Sequence, residues 1–205
     1  MTVISVRRMT PTVGKTELAT SRVRTMAGIV ATAGARVRIG QVVAGEGAGC
    51  IQLYAAFPDF VSISRATLAI AADPARAKLL HERESNPAGE VVGPDVYRTV
   101  FGDVAPDYPV IMQREYRVQR ENLQNALSLL PEIEELGKSH DYKMMAVVPV
   151  IADDLGRMIV AYYSRTMEDL GRIIDEVGMS EQFQNIVTKA NTFGTLEKSR
   201  VVKII

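Results

Sequence analysis

Arg7 and Arg114 stand 107 residues apart in matching surroundings, and Tyr54, Tyr116, Tyr162 and Tyr163 fall on or near apolar, strand-like runs. A guanidinium and a phenol facing one pocket would bind a carboxylate, phenolate or quinone oxygen, or steady an enolate as it forms. The plainer assignment pairs Arg7 with a carboxylate at a strand end and leaves the tyrosines in the core, their hydroxyls reaching backbone or water.

Histidine is scarce. His81 follows Leu79 and Leu80, with Glu82 and Glu84 close by, and His140 closes a helical segment. At a helix end an imidazole serves most simply as a C-terminal cation or surface group, and two isolated ones do not make a structural zinc site, which takes four ligands. Cys50 lies on an apolar run without a neighbouring histidine to activate it, so it reads as a small buried hydrophobe. Gly14-Lys15-Thr16 ends like a phosphate-binding loop, but Met9 occupies the place of the required earlier glycine. Gly45-Glu46-Gly47-Ala48-Gly49 has Cys50 where the third glycine of a dinucleotide loop belongs, and reads as a hairpin turn.

The chain has 205 residues, 24 Lys plus Arg against 24 Asp plus Glu, and 47% apolar residues. Zero formal charge gives no footprint for nucleic acid, and no run reaches the roughly 20 apolar residues that span a bilayer. The apolar fraction is too high for a disordered chain. A soluble, globular protein is expected, with neither nucleic acid nor a membrane as its partner. The first residues lack the basic start and apolar stretch of a secretory signal, and a single cysteine forms no intrachain disulfide, so a cytoplasmic location is expected.

The elements that must position these residues repeat. At an offset of 107 residues, Val3-Ile4 and Arg7 meet Val110-Ile111 and Arg114 without a gap. The helical face Ala19, Val23, Met26, Val30 matches Ala126, Leu130, Ile133, Gly137, apolar in both apart from the glycine. Asp73-Pro74 and the aligned Ser180-Glu181 each supply an N-cap and a favourable first turn, splitting a helical segment in two. The first half therefore reads as strand 2–9, helix 16–33 (capped by Thr12 or Thr16), strands 36–44 and 50–57, split helix 59–84 and a strand within 90–101. The second reads as strand 110–118, helix 121–139, hairpin 142–164, split helix 166–191 and strand 195–205. Residues 1–101 and 110–205 are expected as two repeats, joined by a Pro- and Asp-containing linker at 102–109.

This βαββαβ order is the ferredoxin-like split βαβ, which covers one sheet face with helices and leaves the other needing a partner. Gln52, Tyr54 and Ala56 alternate with Ile51, Leu53 and Ala55, and Met158, Val160 and Tyr162 alternate with Ile159, Ala161 and Tyr163. Both faces are largely apolar, as when one meets helices and the other a second sheet. The expected class is α+β: two tandem ferredoxin-like repeats whose antiparallel sheets pack into an α+β barrel.

The doubled order, the unit of about a hundred residues and the split helices resemble the dimeric α+β barrel superfamily, including antibiotic-biosynthesis-type and haem-degrading monooxygenases and NIPSNAP-like barrels. The resemblance implies a pocket between sheet and helices of each unit, with cofactor-independent oxygenation or isomerisation of an aromatic or polyketide-like substrate as the leading activity. No cofactor or metal is expected on that reading. Two alternatives are a haem barrel, in which His81 resembles the axial histidine late in the helix, and a non-catalytic binding or assembly module. Haem-degrading members also use a tryptophan and an asparagine, and this chain has no tryptophan. The ligand-pocket candidates are Arg7, Tyr54, His81, Arg114, Tyr116, Tyr162 and Tyr163. Substitution of Val37, Ile39 and Ala56 by Met144, Ala146 and Tyr163 implies that two pockets would differ, and an outer face remains free for a homo-oligomer.

Overall fold

Strand alternation and side-chain caps set the local structure. In the computed structural model, which describes residues 2–205, β1 (Val3–Pro11), α1 (Thr16–Thr32), β2 (Arg36–Gly45), β3 (Ile51–Phe57), α2 (Phe60–Ala72), α3 (Pro74–Ser85) and β4 (Gly89–Gly102) come first. They are followed by β5 (Val110–Val118), α4 (Leu123–Leu127), α5 (Leu130–Leu136), β6 (Tyr142–Ile151), β7 (Arg157–Ser164), α6 (Met167–Ile173), α7 (Glu181–Ala190) and β8 (Gly194–Ile204). The Asp73 carboxylate accepts the Ala75 N–H at 2.7 Å with Pro74 in the first turn of α3, and Ser180 accepts from the Phe183 N–H at 3.2 Å to start α7. Each such cap stabilises its helix by about 1 kcal/mol.

Local chemistry departs from expectation at three places. Lys15, not Thr12 or Thr16, is the N-cap of α1, and it makes no side-chain cap bond. The expected helix 121–139 is broken into a 3-10 turn (Arg120–Asn122), α4 and α5, with Pro131 in the first turn of α5, where its missing N–H costs least. Between α6 and α7 the chain passes through a π-helical turn, Ile174–Gly178.

The eight strands close into one hydrogen-bonded ring in the order β1-β3-β2-β8-β5-β7-β6-β4. The β1–β3 and β2–β3 pairings recur 107 residues later in β5–β7 and β6–β7: Val3 faces Phe57 as Val110 faces Ser164, and Arg36 faces Ala56 as Lys143 faces Tyr163. The seams are β2 with β8 and β4 with β6, so each group of four supplies the edge partner of the other and the ring closes within one chain. At one seam Gly45 has φ of +83°, and a Cβ there would strike the Ser199 backbone.

Strands β1, β3, β5, β6 and β7 are buried on both faces. One packs on helices: Ala19, Val23, Ile51 and Leu53 on one side of the barrel, Val110, Leu130, Met144, Val160 and Phe183 on the other. The other face points into the lumen, where Ile4, Val42, Ile111, Met145, Val147 and Val202 meet. Gly137, the gap in the apolar helical face, is explained here, since its missing Cβ leaves room for the Tyr142 ring, whose hydroxyl donates to the Ile133 carbonyl at 2.8 Å. Gly137→Ala is expected to lower stability by about 1–3 kcal/mol through overpacking. Chemical denaturation checks this, and an unchanged midpoint would contradict it.

Among the described residues, no helix is long and apolar enough to cross a membrane.

Candidate functional site

The sequence candidates divide among three environments. Arg7, on the helix-facing side of β1, enters a cleft of about 210 Å³ between the sheet and α1 and α3. Apolar walls come from Met9, Val23, Met26, Leu53 and Leu79, and cations from Arg7, Arg8, Arg22, Arg76 and Arg83. Arg76, Leu79, Leu80 and Arg83 lie at helical spacing i, i+3, i+4, i+7, which puts both arginines on the same inward stripe of α3. Arg22 has a structural task, donating to the Asn86 and Glu82 carbonyls, both at 2.7 Å, at the C-terminus of α3. Its Nε is buried without a partner.

Arg7 is half-buried, and burial followed by the charge of Arg76 pulls its pKa below the ordinary arginine value. Arg7, Arg76 and Arg83 have no carboxylate within ion-pairing distance among the described residues, the ion pair of α3 being Lys78 with Glu82 at 4.0 Å. Like charges facing an apolar cleft disfavour the empty state, and an anion between them would relieve both repulsion and desolvation.

The equivalent cleft of the second half is filled. Arg114 lies with its guanidinium 5.9 Å from the ring centroids of both Tyr162 and Phe183, its Nε buried without a partner. Phe183 replaces Arg76, Leu129 replaces Arg22 and Tyr116 replaces Met9, leaving a cavity of about 40 Å³ lined by Tyr116, Tyr162 and Leu130 among others. Arg114, Tyr116 and Tyr162 therefore belong to a packed core.

Tyr54 and Tyr163 project from the opposite strand faces into the barrel lumen, a separate cavity of about 200 Å³. Gln113 Nε2 donates to the Tyr54 hydroxyl at 3.0 Å, and that hydroxyl donates in turn to Gln52 Oε1. At the mouth of the lumen Arg38 holds the β4–β5 connection by donating to the Ala105 and Tyr108 carbonyls at 3.0 and 2.9 Å. Toward the other end Arg8 meets Asp95 at 3.4 Å, and Glu115 meets Arg200 at 2.8 Å and Arg157 at 3.3 Å.

His81 is exposed on α3 and lines neither cavity. The residues present do not fit haem in the cleft, since no imidazole faces it and its polar groups are guanidiniums. His140 is elsewhere, 3.7 Å from Glu176. No cluster of three or more His, Cys, Asp or Glu suited to a metal occurs among the described residues. The sequence reading missed Arg76 and Arg83, although cations within an apolar helical stripe were visible there, and it missed Arg38, which shares a strand face with Gly40 and Val42.

All seven tyrosines hold their protons more tightly than a free phenol. Burial is the main cause except at Tyr108, where the hydrogen bond to Asp141 leads, and Tyr142 is pushed up to about 12. A raised folded-state pKa contributes stability that is present below the unfolded phenol value of about 10 and lost as pH rises through the folded value. Tyrosinate absorbance is therefore expected to stay flat through about pH 10 and then rise together with unfolding. A graded titration centred near the free-phenol value would contradict this burial.

No family model matches the sequence, and no curated protein resembles it closely enough to count as a relative. Solved structures do resemble it. An anthrone oxidase-like protein superposes with TM-score 0.68 at 11% identity over 100% of this chain and 91% of its own. A Fusobacterium nucleatum protein provisionally named a monooxygenase gives TM-score 0.65 at 10% identity over 99% and 92%. The shared fold is a ferredoxin-like α+β barrel. Here one chain supplies the whole barrel, and a haem-binding protein from Thermus thermophilus superposes on it with TM-score 0.54 and 14% identity, matched over 100% of this chain and 90% of its own. At such identities the likeness concerns the barrel, and the chemistry must come from the residues that line it.

Proposed function

We propose that the protein binds a small organic anion, an apolar body carrying one carboxylate, phenolate or enolate oxygen, in the cleft between β1, β3 and the helices α1 and α3. The observation carrying this reading is the pair Arg7 and Arg76, which face an apolar cavity without a carboxylate partner. An anion placed between them gains charge-assisted hydrogen bonds in a partly dry site, while its hydrocarbon part meets Met26, Leu53 and Leu79. Titration with 1-naphthoate and its neutral isostere 1-naphthamide tests it. Preference for the anion by at least about tenfold is expected, and equal affinity would refute the reading.

A second reading is favoured by the structural neighbours, one anthrone oxidase-like and one provisionally named a monooxygenase. In that reading the arginines hold the enolate of an acidic aromatic ketone, which dioxygen then oxidises. No carboxylate, imidazole or phenol lines the cleft to act as base, so the substrate must be acidic enough to ionise beside the guanidiniums. With anthrone the balanced outcome is one dioxygen consumed, with anthraquinone and water formed. Uptake that is lost in Arg7→Met would support oxygenation. Absence of uptake would refute it and leave anion binding standing.

A further inference from the structure

The barrel lumen is a cavity the proposed function does not use. Its walls include Ile4, Val6, Ile111, Val147 and Ile159, and it reaches the surface past the exposed residues Arg36 and Pro106. Its polar groups are unevenly satisfied. The Tyr54 hydroxyl is engaged both ways by Gln52 and Gln113. Tyr163 is 3% exposed, and its hydroxyl finds only the Met145 sulfur at 3.8 Å. Thioether sulfur is a weak acceptor, so this buried donor lacks a strong partner. Arg200, 6% exposed, has an Nε with no partner.

The lumen thus offers donors in excess of acceptors. Packing alone does not call for a phenol at this position, because Ala56 occupies the place equivalent to Tyr163 in the first half, and Ala161 the place equivalent to Tyr54. The swap leaves open space beside each ring. An anion is disfavoured at the inner end, where Asp95 and Glu115 line the cavity and Arg8 and Arg200 are already paired, while the cations without a carboxylate partner, Arg36 and Arg38, stand at the mouth. A neutral acceptor is suited to it.

We propose that the lumen is a second ligand site, separate from the arginine cleft, for a small flat aromatic ketone whose carbonyl oxygen accepts from the Tyr163 hydroxyl. The aromatic ring lies among the aliphatic side chains, and the ligand enters past Arg36 and Pro106. Burial keeps the Tyr163 hydroxyl protonated, so it remains a donor across the neutral range.

Calorimetric titration of the full chain with 1-indanone, a neutral aryl ketone, tests this. One site per chain is expected, with affinity at least about tenfold weaker in Tyr163→Phe and unchanged in Arg7→Met. Tyr163→Phe removes only the hydroxyl and keeps the packing. Ala161→Phe, which fills the lumen, is expected to abolish binding, with circular dichroism reporting whether the fold is retained. Unchanged affinity in Tyr163→Phe overturns the proposal whatever the filled variant does. So does the absence of heat up to the solubility limit, and so does loss of binding in Arg7→Met. Because the cleft reading concerns 1-naphthoate and Arg7, either site can fail while the other stands.

Discussion

Glu115→Gln is expected to destabilise the protein by about 3 kcal/mol, because it removes only the charge that two buried arginines share. The Glu115 side chain is 4% exposed, and Arg157 and Arg200, at 8% and 6%, approach it at 3.3 and 2.8 Å. Lys198 adds a third cation at 3.7 Å. Asp153, Asp154 and Glu46 also contact these arginines but are more exposed, so they offset only part of the loss. For a chain of this length the change corresponds to roughly 6–12 °C in melting temperature by calorimetry. Asp95→Asn provides the internal comparison: it breaks the Arg8–Asp95 pair, where the side chains are 26% and 12% exposed, and should cost less. A melting temperature for Glu115→Gln that matches the unsubstituted protein would show that this cluster does not hold the barrel end.

Arg7→Met and Arg76→Met are each expected to weaken 1-naphthoate binding by about tenfold, corresponding to about 1.4 kcal/mol, and to leave 1-naphthamide binding unchanged. Methionine keeps most of the aliphatic volume, so the comparison isolates charge from packing. The two effects should not add fully, because removing one guanidinium also relieves the repulsion on the other. Arg114→Met should leave 1-naphthoate binding unaltered, since its guanidinium lies among Tyr162 and Phe183 in a filled core. Equal losses for both ligands would mean that the arginines support the cleft by packing alone.

The architecture was largely legible because its signals are periodic. Alternation placed Tyr162 and Tyr163 on opposite strand faces, and they point to helices and lumen respectively. Asp73-Pro74 and Ser180-Glu181 marked the helix breaks through chemistry that acts within one turn. The break before α5 was missed because apolar spacing continues through Pro131, and a proline in the first turn of a helix leaves that spacing intact. The site was only partly legible, since a cleft depends on what fills the space between elements. Arg7 and Arg114 look alike in sequence, yet one faces Arg76 across open space and the other packs against Phe183. That difference lies in residues of another helix, which periodicity does not bring together. His81 stands beside Leu79 and Leu80 in sequence, but its own position on α3 turns it to solvent.

Crystals grown with 1-naphthoate would test the central claim most directly. The account predicts the naphthalene ring against Met26, Leu53 and Leu79, with its carboxylate between the guanidiniums of Arg7 and Arg76. A ligand found only in the lumen or on the outer surface, with the arginine cleft empty at saturating concentration, would contradict it.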